Sequence, residues 1–533
     1  MQTVSQSWKN VHKQTLLNES FVEVSLDIAD PNAIADIEST EDNGSVYISD
    51  TPEVVSEVDT PVIPYGTLEQ NSWLLNGTRI SIPESDYKDG GYIGDVLSNE
   101  ECIFDKKIPT IIIEFNKVHT QIIPGITITW GTAYDEYAEQ FIVTAYKDNT
   151  IVAQKEVLSN KSIISIVDVD IVNYNRITIQ ILSWCLPNHR ARVDEIFIGW
   201  RKVYSKTDLM SFSHAQTVDP LSTSLPKMEI KFSIDNSDDE YNPYNRNGLA
   251  KYLTERQEVK TKYGLKLNDN TIEWIKGGSF YLSEWYAKQN GISADFVARD
   301  LLEFMSDIYI DNITQISERS LYDLATLVLQ SANLPLNSDG SVKWVIDDSL
   351  KNITTKAPLP EDTLANCLQL IANAGRCVLY QDREGILRIE PINTNPTDYE
   401  INRFNSYSKS EITLSKSIRD VIVKVYNYTI GEKGIESSLK RELSMAVSGV
   451  GEIITIDNPL ITSESDGIIL GTWMGNYLKN RMTLKSTGRA DVRLDALDIV
   501  DNENDYGTNT VRMTNVKFEF NGAFRGTGEG RVI

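Results

Sequence analysis

The sequence EIKFSIDNSDDEYNPYNRNGLAKYLTERQEVKTKYG occupies residues 229–264, continues through NTIEWIKGGSFYLSEW at 270–285, and ends in ADFVARDLL at 294–302. Its first part, Glu229 to Ile234, alternates apolar and polar residues, which is the period of a half-buried strand. Asp235-Asn236-Ser237 then supplies turn chemistry. Further strands are predicted at 259–265, 272–274, 280–282 and 294–298, with a Gly277-Gly278 kink before the third of these. The stretch therefore predicts an antiparallel β-structure.

The order of these strands and turns resembles the hub proteins at the tail tip of tailed phages. The segments that carry the resemblance are KFSIDN, GLAKYLTERQ, EWIKGGSFYLSEW and FVARDLL, all within residues 231–302. Such segments are typical of the tail-associated, baseplate-hub proteins of siphophage-type tails from phages of Gram-positive hosts. The resemblance implies a structural virion protein, a homotrimer that closes the tail tube and opens for DNA ejection.

The resemblance also implies partners and a location. The expected partners are the distal tail protein, the tape-measure protein, and the receptor-binding or tip proteins of the same virion. The expected location is the virion tail tip, after assembly in the host cytoplasm.

Over the whole chain, the patterns and the resemblance predict a mainly β fold with α+β parts. Residues 1–60 and 201–300 are expected to form a first hub β-barrel, and residues 411–533 a second. Residues 61–200 contain many short, evenly spaced strand patterns after a Thr60-Pro61 hinge, which predicts an inserted jelly-roll β-sandwich resembling a carbohydrate-binding module. Residues 301–410 are expected to form an α+β middle domain, because helical apolar spacing at Ser320 to Ala332 and at Pro360 to Ala374 precedes a hairpin pattern. Ser320 is the predicted N-cap of the first helix, with Ser317 as the alternative.

Length and composition are those of a globular protein of several domains. The chain has 533 residues, 41% of them hydrophobic and 24% charged. No apolar run approaches the roughly 20 residues that a membrane-spanning helix needs. The N-terminus has no apolar stretch after its first charges, so neither a membrane span nor a signal peptide is predicted.

The predicted sandwich carries residues of the types that bind sugars. Aromatic rings stack on sugar faces, while amide, imidazole and guanidinium groups bond sugar hydroxyls. The candidate saccharide-binding residues are Trp130, Tyr134, Tyr137, Trp184, Asn188, His189 and Arg190, and the candidate ligand is a host cell-wall saccharide. Trp130 and Trp184 each end a predicted strand, so a place in the core or at a sheet end is the competing interpretation.

The charge excludes one class of partner. With 76 acidic and 51 basic residues the net charge is −25, which argues against sequence-specific or phosphate-mediated binding of nucleic acid. Solubility accounts for this charge by itself. The resemblance adds a second interpretation, an acidic channel wall that lets DNA pass. The candidate lumen-facing residues form two loops: Asp235, Asp238, Asp239 and Glu240, and Asp501, Glu503 and Asp505.

The sequence predicts no catalytic, metal or cofactor site. The four cysteines lack CxxC spacing, which favours free thiols and leaves a Cys102–Cys185 bridge open. The four histidines lack zinc-binding spacing, and no nucleophile motif is present. Two other functions remain open, a freestanding carbohydrate-binding protein and a glycan-degrading tail enzyme. A trimeric mass would favour the hub over the freestanding module.

Overall fold

The structure is a computed structural model. It describes residues 1–14, 18–30, 32–46, 48–55, 66–67, 69–70, 89–206, 208–287, 291–311, 315–337, 341–431 and 434–533. The predicted hinge at Thr60-Pro61 lies outside these residues.

The N-terminal segment contains α1 (Gln6–His12), β1 (Ser20–Ala29), β2 (Ile37–Asp42) and β3 (Ser49–Asp50), with single 3-10 turns at Ile34–Asp36 and Thr51–Val55. The next segment contains β4 (Asp89–Gly90), β5 (Tyr92–Leu97), β6 (Thr110–His119), β7 (Ile123–Trp130), β8 (Ala138–Lys147), β9 (Thr150–Val157), β10 (Ile164–Ile171), β11 (Tyr174–Trp184), β12 (Arg190–Phe197), β13 (Gly199–Tyr204) and β14 (Leu209–Thr217), with a 3-10 turn at Thr132–Tyr134.

The third segment contains β15 (Lys227–Asp235), β16 (Glu258–Lys266), β17 (Ile272–Ala287), β18 (Ser293–Arg299), β19 (Ile308–Tyr309), β20 (Arg319–Ser320), α2 (Leu321–Ser331), β21 (Trp344–Ile346), β22 (Thr354–Thr355), β23 (Asp362–Thr363), α3 (Leu364–Ala374), β24 (Val378–Gln381), β25 (Leu387–Glu390) and β26 (Pro396–Ile401). Its 3-10 turns are Leu249–Tyr252, Leu301–Phe304 and Asp348–Asn352. The last contains β27 (Glu411–Leu414), β28 (Ile418–Gly431), β29 (Gly434–Ala446), β30 (Glu452–Ile456), α4 (Glu464–Leu478), β31 (Met482–Arg489), β32 (Ile499–Asn504), β33 (Gly507–Phe520) and β34 (Phe524–Val532).

The largest sheet, called the main sheet below, has thirteen strands. From one end its order is β13, β1, β16, β17, β18, β15, β14, β33, β34, β31 and β27, while β32 pairs with β33 and β26 pairs with β32. The fold is therefore mainly β, with α+β parts elsewhere in the chain, as the sequence predicts.

The stretch at 229–302 forms consecutive antiparallel strands of this sheet. In β15, Ile230, Phe232 and Ile234 are buried, as their alternation predicts. Phe232 lies opposite Phe296 of β18, and the two rings stack with centroids 5.0 Å apart. The two strands predicted at 272–274 and 280–282 are one strand, β17. Gly278, at φ +141°, marks a bulge in this strand opposite β16, because the extra residue is absorbed without breaking the pairing.

Pairing of β14 with β33 joins strands from distant parts of the sequence. The antiparallel register runs from Phe212 opposite Phe520 to Thr217 opposite Asn515. Phe212, Phe518 and Tyr263 share one buried core. Strands that the sequence analysis divided between two barrels thus belong to one hydrogen-bonded sheet with a common core.

The sandwich consists of two sheets around a separate core. One sheet has the order β10, β7, β12, β5, and the other has the order β2, β6, β11, β8, β9. Its core includes Trp130, Phe141 and Trp184. Strand β2 comes from the segment before residue 61, so the sandwich takes one edge strand from outside the range expected for the insertion.

The middle of the chain is built on α2 and α3. Ser320 caps α2 by accepting a hydrogen bond from the Asp323 N–H, as predicted. Helix α3 begins at Leu364 with Thr363 as its cap, four residues after the predicted start at Pro360. Both helices share a core with β28, β30 and α4. Residues 418–478 thus pack against the middle of the chain, whereas β27 and β31–β34 belong to the main sheet.

We expect Gly125→Ala to destabilise the sandwich. Gly125 in β7 has φ +134°, and a Cβ there would lie 1.8 Å from the Val167 carbonyl oxygen of β10. Because both the backbone conformation and the close main-chain approach exclude a side chain, the cost should be roughly 1–3 kcal/mol or more. Hydrogen exchange followed by mass spectrometry should show faster exchange in β7 and β10. Gly449→Ala is the matched control, since a Cβ there meets nothing within 4 Å; equal effects of the two substitutions would contradict the explanation.

Candidate functional sites

The two tryptophans of the predicted saccharide site lie in the sandwich core. Trp130 ends β7 and Trp184 ends β11, and both are fully buried. The rings meet edge to face with centroids 6.1 Å apart. Trp130 Nε1 donates to Ser165 Oγ at 2.8 Å and Trp184 Nε1 to Glu136 Oε2 at 2.8 Å. Because stacking on a sugar needs an exposed ring face, neither indole can supply it in this structure.

A buried polar network lies beside Trp184. The Arg192 guanidinium bonds both carboxylate oxygens of Glu69 and lies 3.7 Å from Glu136 Oε2. Glu136 also pairs with His189 Nδ1 at 2.9 Å. All four side chains are buried. Buried charges need such paired partners, so this network is an internal anchor of the sandwich.

Three more of the predicted saccharide-binding residues, Asn188, His189 and Arg190, form hydrogen bonds with residues 69–70. The Arg190 N–H donates to Glu69 Oε1 at 2.6 Å, and Asn188 Nδ2 donates to Gln70 Oε1 at 2.7 Å. His189 Nε2 bonds the Gln70 carbonyl oxygen. Residues chosen from sequence as a sugar-binding group are therefore brought together, but around another part of the chain. Asn188 and His189 reach Gln70 through their side chains, whereas Arg190 reaches Glu69 through its main chain and its guanidinium donates to the Gly94 carbonyl oxygen at 3.0 Å.

The tyrosines occupy different positions. Tyr134 is buried, and the Arg192 guanidinium lies 4.3 Å from its ring centroid, which is a cation–π contact. Tyr137 is half-buried; its carbonyl oxygen accepts a hydrogen bond from the Cys185 N–H at 3.0 Å, and its N–H donates to Cys185 Sγ at 3.3 Å. Sequence reasoning missed Glu69, Glu136 and Arg192, because nothing local relates residues so far apart in the chain.

The electrostatics of the network favour its charged form. Burial alone would raise the pKa of Glu69, but the Arg192 charge and hydrogen bonds outweigh it and hold that pKa below its usual range. Burial would lower the pKa of His189, and Glu136 outweighs it and raises that pKa. The Glu69 contribution to stability is thus present above its unfolded pKa and lost as pH falls through the folded one. The His189 contribution is lost as pH rises through its folded pKa.

The cysteines are free thiols. Cys102 and Cys185 lie on neighbouring segments, since the Trp184 N–H donates to the Cys102 carbonyl oxygen at 2.8 Å. Burial raises the pKa of Cys185 to about 11. A thiol with that pKa stays protonated at neutral pH and is a poor nucleophile.

The first acidic loop follows β15 and is organised by its own carboxylates. Asp235 accepts the Ser237 N–H at 3.0 Å, and Asp239 accepts Asn242 Nδ2 at 3.0 Å. Glu240 lies 3.5 Å from Lys202 Nζ. The three aspartates, Asp235, Asp238 and Asp239, are exposed, and Glu240 is half-buried.

The second acidic group is only partly a loop, because Asp501 and Glu503 lie in β32 and Asp505 alone lies in the turn between β32 and β33. Asp501, Glu503 and Asp505 are exposed, and Asp505 pairs with Lys409 at 2.6 Å. Since β15 and β33 both lie antiparallel to β14, they run in the same direction. One loop follows the end of β15, whereas the other precedes the start of β33. Along the strand direction, the two loops therefore lie at opposite ends of the main sheet. The path between them along the strands is roughly 60 Å long.

Among the described residues, three strands of the main sheet have a strand partner on one side only: β13 and β27 at the two ends of the main strand path, and β26 at the end of its branch. Strand β27 lies at one end, and its four residues are all exposed, including Ile412 at 52% and Leu414 at 62%. Strand β13 lies at the other end, where Val203 is 54% exposed. An edge with exposed apolar side chains is a template for pairing with another strand.

Within the described residues, no group of three or more His, Cys, Asp or Glu side chains is arranged to hold a metal ion. No helix in the described part of the chain is long and apolar enough to cross a membrane.

Comparisons with known proteins yield similarity in structure alone. No protein-family model matches the sequence, and no curated protein matches it. Among solved structures, the chain is similar to the 43 kDa tail protein of prophage MuSo2 from Shewanella oneidensis, with 12% identity and a TM-score of 0.43 over 62% of this chain and 95% of the other. The tail protein from Neisseria meningitidis MC58 has 10% identity and a TM-score of 0.42 over 63% and 94%.

The prophage tail protein gp18 from Listeria monocytogenes EGD-e has 11% identity and a TM-score of 0.38, over 62% of this chain and 91% of the other. The similar solved structures thus include tail proteins. At these identities and scores, the function has to be argued from this chain's own residues.

We expect Arg192→Met to destabilise the sandwich more than Glu69→Gln. Removing Arg192 leaves Glu69 without its buried cation, which should cost roughly 3–5 kcal/mol. Glu69→Gln removes one carboxylate, but Arg192 keeps Glu136 as a nearby carboxylate. The loss of unfolding free energy should therefore be smaller than for Arg192→Met. The double variant should cost less than the sum of the two single variants, because neither partner is then left alone. Calorimetric unfolding of the four proteins measures this cycle, and additive losses would show that the pair is not coupled.

Proposed function

We propose that the chain is the tail-tip hub of a siphophage-type tail from a phage of a Gram-positive host. In this proposal three copies form a ring that closes the tail tube and opens for DNA ejection. Two features support it: the phage-hub segments within 231–302, and the open ends of the main sheet.

The observation that carries the proposal is the exposed strand β27. Its unpaired main-chain edge and its apolar side chains Ile412 and Leu414 would be covered by a strand of a neighbouring copy. The strand path of the main sheet runs from β13 to β27, which are different strands. If β27 of one copy paired with β13 of the next, the contact between copies would be head to tail. A head-to-tail contact produces a closed ring when its rotation closes.

The proposal includes the domain organisation and the partners expected from the resemblance. The sandwich, which also takes up β2, would be an insertion into the first hub β-barrel of residues 1–60 and 201–300. Residues 301–410 and 411–533 would be the middle domain and the second barrel, with residues 418–478 packed on the middle domain. The distal tail protein, the tape-measure protein and the receptor-binding or tip proteins would bind the ring at the virion tail tip.

The acidic loops are assigned to the lumen in this proposal. Exposed carboxylates at Asp235–Glu240 and at Asp501–Asp505 would repel DNA phosphates, an effect that salt screens beyond about 8 Å. Because the loops lie at opposite ends of the main sheet along the strand direction, they would repel DNA at two levels of the channel.

Saccharide contact is proposed only for the part of the sandwich that keeps an exposed surface. Of the predicted residues, Tyr137, Asn188 and Arg190 are half-buried, whereas Trp130, Trp184 and Tyr134 are buried. Binding of host cell-wall polysaccharide that Tyr137→Ala or Asn188→Ala abolishes would support this contact.

We expect the purified chain to have three times its mass of 60.1 kDa by light scattering. Ile412→Lys with Leu414→Lys should reduce it to a monomer, because two charges would enter the proposed strand contact. Ile164→Lys with Ile166→Lys is the matched control, since these isoleucines are equally exposed on β10, the end strand of a sandwich sheet. A monomeric wild type, or loss of the trimer in the control alone, would refute the ring.

We expect Asp235→Lys with Asp238→Lys to leave the oligomer intact and to slow DNA ejection from reconstituted virions. Both side chains are exposed, so folding should tolerate the change, while cations in the lumen would attract phosphates. Glu156→Lys with Glu361→Lys changes the net charge equally at exposed positions of the sandwich and the middle domain. Equal ejection rates for the two double variants would remove the lumen assignment and leave the trimer untouched.

A further inference from the structure

A cleft of about 1040 Å³ lies between the sandwich, the main sheet and the middle of the chain. The sandwich wall includes β2 and the end of β6, and the main-sheet wall includes residues 254–258. Residues 333–337 and Lys343 form the third wall. The cleft belongs to none of the sites described above.

One wall of the cleft is the main-chain edge of a strand. Four consecutive residues of β2 line the cleft: Ile37, Glu38, Ser39 and Thr40. A strand that presented one face would contribute alternate residues, because successive side chains point to opposite sides. Strand β2 is also the end strand of its five-stranded sheet. Within the part of the chain that the structure describes, no strand pairs with the other edge of β2, so this edge faces the cleft, apart from the Ile37 N–H, which bonds the Ile34 carbonyl oxygen.

The charges of the cleft are unbalanced. Five carboxylates line it against three lysine and arginine side chains. Glu258 lies 3.4 Å from Lys343, and Asp30 bonds His119 at 2.7 Å, so those carboxylates are compensated. Glu38 and Glu255 are exposed, and neither has an ion-pair partner among the described residues. Arg256 has no ion-pair partner there either, so two uncompensated carboxylates, at the edge of β2 and on the opposite wall, stand against one uncompensated guanidinium.

The cleft also has an apolar part. Ile34 and Leu334 line it with half-buried side chains, and Leu336 is 41% exposed. The rings of Tyr281, Phe304 and Phe197 also line it but are buried, and the Arg256 guanidinium lies 4.6 Å from the Phe304 ring centroid. An occupant would thus meet an unpaired strand edge, apolar surface and two unpaired carboxylates.

We propose that this cleft binds an extended segment of another polypeptide that carries basic side chains. The segment would add a strand beside β2, so that its main chain satisfies the edge while alternate side chains enter the apolar part. Its cations would pair with Glu38 and Glu255. A polypeptide fits better than a saccharide, because a strand edge offers a repeating row of main-chain donors and acceptors.

The test uses the full chain and three labelled nonapeptides as probes in fluorescence polarisation. The first has the sequence KVTVKVTVK, the second EVTVEVTVE, and the third KVTPKPTVK. We expect saturable binding of the first, weaker binding of the second, and none of the third, because proline removes ladder donors. Glu38→Lys and Glu255→Lys should each weaken the first peptide about tenfold. Glu156→Lys, on β9 at the other end of the same sheet, should leave its affinity unchanged.

Hydrogen exchange at saturation locates the peptide. Slower exchange in β2 without a change in β9 supports the proposal. The proposal is overturned by absence of saturable binding up to about 1 mM, by protection of β9 in place of β2, or by unchanged affinity in both the Glu38→Lys and the Glu255→Lys variants. Displacement of the basic peptide by cellohexaose would also overturn it, since the cleft would then be a saccharide site.

Discussion

Pairing between Leu209–Thr217 and Gly507–Phe520 is the interaction on which the rest of the structure depends. It joins strands from the middle and the end of the chain into one sheet, and it brings Phe212, Tyr263 and Phe518 into one core. Burying rings of this size gives roughly 1.5–3 kcal/mol for each side chain. Without this ladder, each half of the main sheet would have a further exposed edge and half a core.

The strands at the ends of such a sheet have main-chain N–H and C=O groups without a partner strand on one side. Proteins blunt edge strands with charges, bulges or coverage, or they use them for binding. Strand β27 carries one charge, Glu411, but its side chains Ile412 and Leu414 are exposed. The same reasoning applies to β2, whose edge faces a cleft instead of open solvent. We therefore propose two binding surfaces of one physical type, one for another copy of the chain and one for a different polypeptide.

The sandwich illustrates how residue types alone mislead. Tryptophan, asparagine and arginine are the groups that sugar-binding surfaces use, and here they are close together. The two tryptophans serve the core instead, where Trp184 donates to Glu136, and Asn188 and Arg190 bond the segment whose Glu69 is neutralised by Arg192. A charged group that is buried needs a partner of opposite charge. For Arg192 this partner is Glu69, in the segment at residues 69–70 with which the candidate residues form hydrogen bonds.

Local properties of the protein could be predicted from its sequence. The alternation in Glu229–Ile234 predicted a strand with Ile230, Phe232 and Ile234 inside, and Ser320 was predicted as the α2 cap. These signals depend on neighbours within a few residues of each other. They failed even locally where two outcomes fit the same pattern: Gly278 marks a bulge within one strand, and α3 starts at Leu364, not at Pro360.

Tertiary structure alone decided which strands became neighbours. Strand periodicity shows which face of a strand is buried, but it carries no information on the strand that lies beside it. The partnership of β14 with β33, the burial of Trp130 and Trp184, and the Glu69–Arg192 pair all depend on contacts between distant residues. The open edges of β27 and β2 are decided in the same way, because an edge exists only once every other strand has found its partner.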